Sequence, residues 1–337
     1  MLSCALLKSP NHLKNDDARH HQGSCPINTA ADSTAQATPQ SKPTLLLICN
    51  PISGYSDKHW LKALCERLDH DAYPWARYDT QAGGDATRFL AEETWQADLI
   101  IVAGGDGTIN EVASGLYAAG RLDVPVLPLS TGTANVLARE LGINGLASSH
   151  KIDKIMALIA DSPTRRVHLP LINGKVMLLM AGVGFDAWVV HTLDSNLKKR
   201  MGKLAYVVSM LKQVPKASRR LYRVISDGKN QTVNAAIISN GRFYAGSYTL
   251  CPNGMLEESD LVITTISGNT LTFILALCAM PLGLMHKCPG VEQFSAQEVS
   301  IEALNEAEEP VQLDGDDFGL LPCTVRCSEH SIEFLHR

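Results

Sequence analysis

The chain has 337 residues, of which 45% are hydrophobic and 19% are charged, and its formal net charge is −5 at pH 7. This length is enough for two domains with separate cores, and the net negative charge excludes a general attraction to nucleic acid. The nine cysteines form no CxxC pair, which argues against zinc and a disulfide framework and indicates a reducing, cytoplasmic compartment. The best candidate for a membrane span, 271–285, contains Pro281 and is shorter than the roughly 20 residues that a bilayer requires.

The first half of the chain has the pattern of an α/β domain. Residues 1–42 are polar and without periodicity, so we expect a disordered tail, with order beginning at a buried strand over Thr44–Cys49. The patterns then predict helices over 58–68, 85–95, 109–119, 135–141 and 153–160, alternating with strands over 75–78, 99–102 and 124–129. Such alternation predicts a parallel sheet over 43–165, with a ligand crevice at the carboxyl ends of its strands.

A glycine-rich loop follows the strand at 99–102, within the sequence DLIIVAGGDGTINE. Three glycines there would let backbone N–H groups converge on an anion at a helix N-terminus. Asp106 and Thr108 add a carboxylate and a hydroxyl, which can bind a metal ion and a phosphate oxygen. The chain contains no GxxxxGK[ST] motif, and Asn110 occupies the third glycine position of a dinucleotide fingerprint. Because a plain βα turn needs one or two glycines, the pattern favours a nucleotide-phosphate site.

From about residue 166 the pattern becomes that of hairpins. The turn signals are Asn173-Gly174, Asp227-Gly228 and Asp314-Gly315. Strand-like runs follow over 261–266, 299–301 and 325–335, and two inserted helices are predicted near 197–214 and 271–284. We therefore expect an antiparallel β-domain over 166–325, with a C-terminal segment, 326–337, returning to the first domain.

The segment 195–223 carries nine Lys or Arg residues and no Asp or Glu. Leu197, Met201, Leu204, Val208 and Leu211 recur within it at helical spacing. A basic run is usually a solvated helix face, but a basic amphipathic helix also suits an enzyme that works at an anionic membrane. We expect peripheral contact through this segment, at the inner face of the membrane.

Several segments together resemble the diacylglycerol kinase catalytic-domain family, and in particular soluble bacterial lipid kinases. Asn50–Gly54 resembles its NPxSG motif, Thr80 with Gly84–Ala86 its TxxxGDA segment, and Gly104–Thr108 its GGDGT motif. Gly132–Asn135 resembles its GTxN loop, Gly182–Asp186 its GxGFD segment, and Asp314–Asp316 its DGE motif. The order and spacing fit from about Thr44 to the C-terminus.

The resemblance implies a nucleotide-binding α/β domain followed by an antiparallel β-sandwich, with an active site between them. Members phosphorylate a lipid hydroxyl with ATP and Mg²⁺. By matching position, the residues that would line the nucleotide are Asn50, Ser53, Gly54, Thr80, Gly104, Gly105, Asp106, Gly107, Thr108, Gly132 and Thr133. Asp106 would also organise metal and phosphate as a catalytic residue, and Asp316 would stand where the family has its general base.

Three departures from the family pattern keep alternatives open. Asp316 replaces the family's Glu, and Val136 stands where an Asp is common. Glu257-Glu258-Ser259 replaces an acidic stretch that usually ends in Asp-Gly, so Glu258 is the candidate ligand of a second-domain magnesium site. Two other hypotheses remain: an NAD kinase-like small-molecule kinase, and a non-catalytic regulator that binds lipid or nucleotide.

Overall fold

The computed structural model describes residues 42–53, 59–92, 94–161, 163–192, 203–305 and 308–337, with backbone alone at 203–208 and 211. The predicted tail up to residue 41 lies outside the described residues, as do Gly54 and basic residues 198–200. The side chains of the predicted amphipathic stripe at residues 197, 201, 204, 208 and 211 also lie outside them.

The first half forms a mainly parallel sheet with helices between its strands. Its strands are β1 (Leu45–Cys49), β2 (Trp75–Asp79), β3 (Leu99–Gly104), β4 (Val126–Ser130) and β5 (Thr164–His168). Its helices are α1 (His59–His70), α2 (Asp85–Ala91), α3 (Asp106–Ala119), α4 (Val136–Glu140) and α5 (Ile152–Ala160). Every residue of β1, β3 and β4 is buried, as expected for parallel strands covered on both faces.

The second half is a sandwich of two antiparallel sheets. Its strands are β6 (Leu171–Ile172), β7 (Lys175–Val176), β8 (Met180–Val183), β9 (Tyr222–Ser226), β10 (Lys229–Val233), β11 (Ala235–Ser239), β12 (Phe243–Tyr244), β13 (Tyr248–Thr249), β14 (Leu261–Ile266), β15 (Val291–Ala296), β16 (Glu298–Ala303), β17 (Pro310–Leu313), β18 (Asp316–Leu320) and β19 (Cys323–Arg326). The sheet orders are β10-β9-β16-β19-β6-β7 and β15-β14-β11-β8-β17-β18, while β12 and β13 form a separate small hairpin. Buried side chains from both sheets, among them Val183, Tyr222 and Ile263, form one core.

The described part of the second half contains three α-helices: α6 (Phe185–His191), α7 (Lys203–Ala217) and α8 (Thr270–Ala279). They share an apolar cluster with β11 and β14, which includes Phe185, Val214, Ile237, Ile266 and Phe273. The last strand, β20 (Ser331–Leu335), leaves the sandwich and completes the first sheet, whose order is β2-β1-β3-β4-β20-β5. There β20 lies parallel to β4 and antiparallel to β5. Among the described residues no helix is long and apolar enough to cross a bilayer.

The predicted fold class, an α/β domain followed by an antiparallel β-sandwich, is confirmed. Two local predictions are wrong, and one helix was missed. Helix α3 begins at Asp106, so the second half of the glycine loop is helical. Helix α6 was not predicted, and the run 325–335 forms two strands, β19 and β20, that belong to different sheets.

The three predicted hairpin turns are confirmed by their backbone angles. Asn173, Asp227 and Asp314 have φ of 46°, 50° and 51°, and the glycine after each also has positive φ. Positive φ at both central residues is the mark of a type I′ turn, which matches the twist of the paired strands. The last of these turns places Asp316 at the first position of β18.

Candidate active site

The GGDGT segment forms the junction between β3 and α3. Because α3 begins at Asp106, Gly105 is the residue at the N-cap, and the first N–H groups of the helix have no helical acceptor. None of its glycines has positive φ, and Gly104 is needed for close packing. A Cβ on Gly104 would lie 2.5 Å from the Cβ of Thr108. The junction therefore presents bare backbone N–H groups and the positive end of a helix dipole, a combination that binds anions.

A second loop, at residues 131–135, lies against the first. Thr131 N donates to Gly104 O at 2.8 Å, and a Cβ on Gly132 would lie 2.9 Å from Gly105 Cα. Asn135 has a φ of 52°, and its Oδ1 is buried, without a hydrogen-bond partner, 3.0 Å from that Cβ position. We call this pair of loops the glycine cradle. It offers backbone donors and one unpaired carbonyl oxygen around a space that side chains would fill.

The predicted residues at the ends of β1 and β2 reach the same edge of the sheet. Asn50 Nδ2 donates to Thr108 Oγ1 at 3.1 Å, which ties β1 to the first turn of α3. The Ser53 and Thr131 hydroxyls lie 3.1 Å apart, and Thr80 N donates to Cys49 O at 2.9 Å. Thr80 is buried, whereas Thr133 is exposed on the second loop. The structure thus brings these residues and the glycine cradle together.

Asp106 joins the two loops of the cradle. Its two oxygens accept hydrogen bonds from Val136 N at 3.0 Å and Leu137 N at 3.2 Å, so the carboxylate caps the N-terminus of α4. Burial raises the pKa of Asp106, whereas these N–H groups act to lower it. Its direct role in binding metal and phosphate stays a prediction. The role that the structure shows is to position the second loop.

Asp316 reaches the glycine cradle from the sandwich. A Cβ on Gly107 would lie 3.1 Å from Asp316 Oδ2, so this carboxylate rests against the first turn of α3. The side chain is exposed, and its charge is one of the causes that raise the pKa of Asp106. The predicted base and the predicted phosphate loop therefore lie side by side, although they belong to different halves of the chain.

The neighbouring carboxylate, Asp314, holds this arrangement in place. It accepts hydrogen bonds from the N–H groups of Leu178, Leu179 and Met180 at 2.8–2.9 Å and from Asn110 Nδ2 at 2.6 Å. Burial raises the pKa of Asp314 to about 6, although the four N–H donors favour its charged form. Asn110 also donates to Val176 O at 3.1 Å. We call these contacts the Asn110–Asp314 clamp; they fasten the turn before Asp316 to helix α3.

We expect Asn110→Ala to lower the free energy of unfolding by about 1.5–3 kcal/mol, because a buried carboxylate loses a short hydrogen-bond donor. Denaturant unfolding of the purified protein measures this, and the exposed Asn230→Ala on β10 is the matched control. A loss below about 0.5 kcal/mol, the range of ordinary surface substitutions, would show that the clamp carries little stability.

A small apolar cavity, with a volume of about 10 Å³, adjoins Asp186. It is lined by side chains from α6, β11, β14 and α8, among them Phe185, Ile237, Ile266, Phe273, Leu277 and Met280. Asp186 and Tyr244 supply its polar groups, and the Tyr244 hydroxyl donates to the Asp186 carboxylate. Burial raises the pKa of Asp186. The cavity is therefore apolar with one polar end.

Gln312 connects this polar end to the turn. Its Nε2 donates to Asp186 Oδ2 at 2.7 Å, and its Oε1 accepts from Gly315 N at 2.8 Å, next to Asp316. Sequence reasoning assigned no role to Asp186, Gln312, Asn110 or Asp314. The match to the GxGFD segment could have singled out Asp186 as a functional residue. The contacts of Gln312 could not have been found, because they leave no periodic pattern in the sequence.

Glu258, the predicted metal ligand, lies on an exposed turn before β14. Its neighbour Glu257 forms an ion pair with Arg165, with Arg165 Nη2 2.8 Å from Glu257 Oε2. Throughout the described ranges, no group of three or more His, Cys, Asp or Glu side chains could hold a metal ion. The metal assignment of Glu258 stays a prediction.

Comparisons with known proteins find relatives for both halves of the chain. Residues 44–170 match the family described as "Diacylglycerol kinase catalytic domain", and residues 180–336 match "YegS C-terminal NAD kinase beta sandwich-like domain". The chain is 27% identical over 283 residues to a diacylglycerol kinase of Bacillus subtilis, covering 82% of this chain and 90% of that protein. It is 26% identical over 254 residues to the lipid kinase YegS of Escherichia coli K12, covering 72% and 82%.

The fold is similar to a crystal structure of a diacylglycerol kinase from Bacillus anthracis, with a TM-score of 0.67 and 24% identity over 87% of this chain and 97% of that one. At this identity the likeness supports the fold alone. The two sequence matches lie end to end over most of the chain and confirm the resemblance inferred from the motifs. The chain belongs to the diacylglycerol kinase catalytic-domain family of lipid kinases.

Proposed function

We propose that the protein is an ATP-dependent lipid kinase, which transfers the γ-phosphoryl group of ATP to a lipid hydroxyl between the α/β domain and the sandwich. The observation that carries the proposal is the contact of the Asp316 carboxylate with the first turn of α3, beside Gly107. Phosphoryl transfer needs charge stabilisation at the phosphate and a base at the acceptor hydroxyl. The N–H groups of the first turn of α3 can stabilise phosphate charge, and the Asp316 carboxylate beside them can act as the base.

The glycine cradle fits a nucleotide triphosphate on two grounds. Side chains at Gly104 or Gly132 would collide with neighbouring atoms, so backbone N–H groups remain accessible. The unpaired Asn135 Oδ1 offers an oxygen acceptor beside them. In this proposal the N–H groups of Gly105 to Thr108 hold phosphate oxygens, and Asn50 and Ser53 border the nucleotide.

The same loops offer oxygen ligands for Mg²⁺, at Thr108 Oγ1 and Asn135 Oδ1, which are the ligand types that this ion takes. Bound there, Mg²⁺ would neutralise phosphate charge. Asp316 Oδ2 accepts the proton of the attacking hydroxyl. The Asn110–Asp314 clamp holds the turn, and therefore this oxygen, in position. A misplacement near 1 Å can lower the rate on the order of 100-fold.

The curated relatives support a lipid as the acceptor, because those that match most of this chain are named diacylglycerol kinase and lipid kinase. The polar end of the apolar cavity, at Asp186, is two hydrogen bonds from the turn of Asp316, through Gln312. The cavity has room for about one water molecule, so it would have to open to admit an acyl chain.

The proposal is tested by incubating the protein with γ-³²P-labelled ATP, Mg²⁺ and one acceptor at a time. The acceptors are diacylglycerol, phosphatidylglycerol, a sphingoid base and NAD. We expect label in at least one lipid and none in NAD. Label in NAD alone would show an NAD kinase-like enzyme, and ATP binding without transfer to any acceptor would favour a regulator.

A further inference from the structure

An exposed apolar ridge follows α8 and the turn after it. Of the eleven large apolar side chains that are exposed in the described part of the chain, five lie between residues 271 and 284. Leu271, Ile274 and Leu275 share one side of the helix, and Leu282 and Leu284 continue beyond its end. Leu271 is 59% exposed and Leu282 is 72% exposed. Single exposed apolar side chains are common on protein surfaces, whereas a cluster of this kind marks an interaction surface.

The other side of α8 is held firmly by the sandwich. Phe273 and Ala276 are fully buried, and Met280, just beyond the helix end, is nearly so. The Asn269 side chain accepts from the N–H groups of Leu271 and Thr272 and caps the helix. The helix is therefore apolar on both faces and rigidly placed, and a helix that is apolar all round is normally covered on both faces. The ridge is the uncovered face.

The charge around the ridge is positive. From residue 261 to residue 291 the sequence contains no Asp or Glu, and Lys287 at the end of this stretch is exposed. Helix α7 packs against α8, and the Ser218 and Thr270 hydroxyls at this junction lie 3.4 Å apart. The nearest acidic residue after the ridge in the sequence is Glu292, on β15.

Among the residues whose side chains the structure describes, helix α7 and the residues after it contribute three exposed cations. Lys212, Lys216 and Arg219 are exposed. Arg220 instead stacks on Trp188 at 4.5 Å and donates to Gln213 Oε1 at 3.0 Å, and burial lowers its pKa. Arg220 is therefore part of the packed sandwich and not of the basic face.

We infer that the apolar ridge and these exposed cations form the surface by which the protein docks on an anionic lipid bilayer. The ridge enters the boundary between headgroups and acyl chains, and Lys212, Lys216, Arg219 and Lys287 contact lipid phosphates. A second copy of the chain fits this surface less well, because it would bring cations against cations. The inference rests on the proposed function, since a lipid kinase must meet a substrate that resides in a membrane.

Docking there also places the bilayer beside the apolar cavity. The inner face of α8, through Phe273, Ala276 and Leu277, forms one wall of that cavity, while the ridge is the outer face of the same helix.

The test measures binding of the full-length protein to vesicles of equal parts phosphatidylglycerol and phosphatidylcholine, and to vesicles of phosphatidylcholine alone. We expect Leu271→Ser with Leu282→Ser to lower the partition coefficient on the anionic vesicles roughly tenfold or more, because two exposed leucines lose their burial. Lys212→Glu with Lys216→Glu should lower it at least as much and weaken its dependence on salt. The matched control is Leu304→Ser with Leu320→Ser, at exposed leucines outside the ridge.

A second measurement does not depend on loss of binding. The Leu282→Trp variant places a tryptophan on the ridge. The fluorescence of this tryptophan should shift to shorter wavelength on the anionic vesicles and should be quenched by brominated acyl chains. Equal binding of the ridge variant and wild type, or a Trp that stays in water, would overturn the inference. So would a wild-type dimer that the ridge variant converts to a monomer while vesicle binding stays unchanged.

Turnover of a dioctanoyl form of the accepted lipid separates this inference from the proposed function. A docking variant should keep the wild-type rate on this dispersed substrate, because no bilayer is involved. If vesicle binding fails the test while this turnover persists, the docking surface is wrong and the kinase stands. If no lipid is phosphorylated but the variants lose vesicle binding, the docking surface stands and the proposed kinase activity is wrong.

Discussion

Asp316→Asn should lower kcat on the accepted lipid by roughly 10²–10⁴-fold, the usual contribution of a general base, and leave the affinity for ATP nearly unchanged. The amide keeps the size of the side chain but cannot take the proton of the acceptor hydroxyl. Steady-state kinetics with γ-³²P-labelled ATP, together with calorimetric titration of ATP, measure the two quantities separately.

Asp317→Asn is the matched control, because Asp317 is the next carboxylate on β18 and pairs with His191 Nδ1 at 2.8 Å rather than with the glycine cradle. We expect this control to keep the wild-type rate. Asp316→Glu should retain part of the activity, since it keeps a carboxylate but lengthens the side chain beside Gly107. If Asp316→Asn turns over the lipid at the wild-type rate, Asp316 is only a turn residue, and Asp106 becomes the next candidate for the base.

Gly105→Asp should weaken ATP binding roughly a hundredfold or more, and transfer should fall with it. The φ of Gly105 is −89°, which other residues adopt readily, and a Cβ there would lie 3.4 Å from Gly132 Cα. The fold should therefore accept the substitution. The new carboxylate would stand where phosphate charge is expected, and like charges about 4 Å apart near a protein surface repel by about 4 kcal/mol.

Gly105→Asn separates the charge from the bulk, because Asn has nearly the same shape and is neutral. We expect its ATP affinity to lie between those of wild type and Gly105→Asp, and melting temperatures should show all three proteins folded. If the folded Gly105→Asp protein binds ATP as wild type does, the phosphate site is not at this cradle.

The sequence was most informative where a local pattern determines local structure. The buried runs of β1, β3 and β4 are apolar throughout because both faces of the sheet are covered. Asp314-Gly315 predicted a tight turn because few other residue pairs adopt positive φ at both positions. That turn brings the shorter Asp316 side chain into contact with Gly107, at the position where the family has a Glu.

The sequence was least informative about contacts between distant segments. The residues 325–335 form one strand-like run in the sequence, which does not show where β19 ends in the sandwich and where β20, in the first sheet, begins. The Asn110–Asp314 clamp joins an amide on α3 to a carboxylate in the sandwich, and the same Asn110 only marked a departure from the dinucleotide fingerprint. Polar contacts of this kind depend on the tertiary fold and have no sequence period, so they could not be predicted.

The glycine cradle shows a related difference. Its glycines predicted backbone N–H groups that converge on a phosphate, and the structure shows that Gly104 and Gly132 are also required by the close approach of Thr108 and Gly105. Asp106 caps α4, and its role in binding metal and phosphate stays a prediction. The motif did not show these packing and capping roles, because they depend on contacts between its two loops.

The position of a non-hydrolysable ATP analogue, in a crystal structure with Mg²⁺, tests the account most directly. The account predicts that the triphosphate lies in the glycine cradle, on the N–H groups of Gly105 to Thr108, with its terminal phosphate facing Asp316. A triphosphate bound away from both loops, or a terminal phosphate that points away from Asp316, would contradict it.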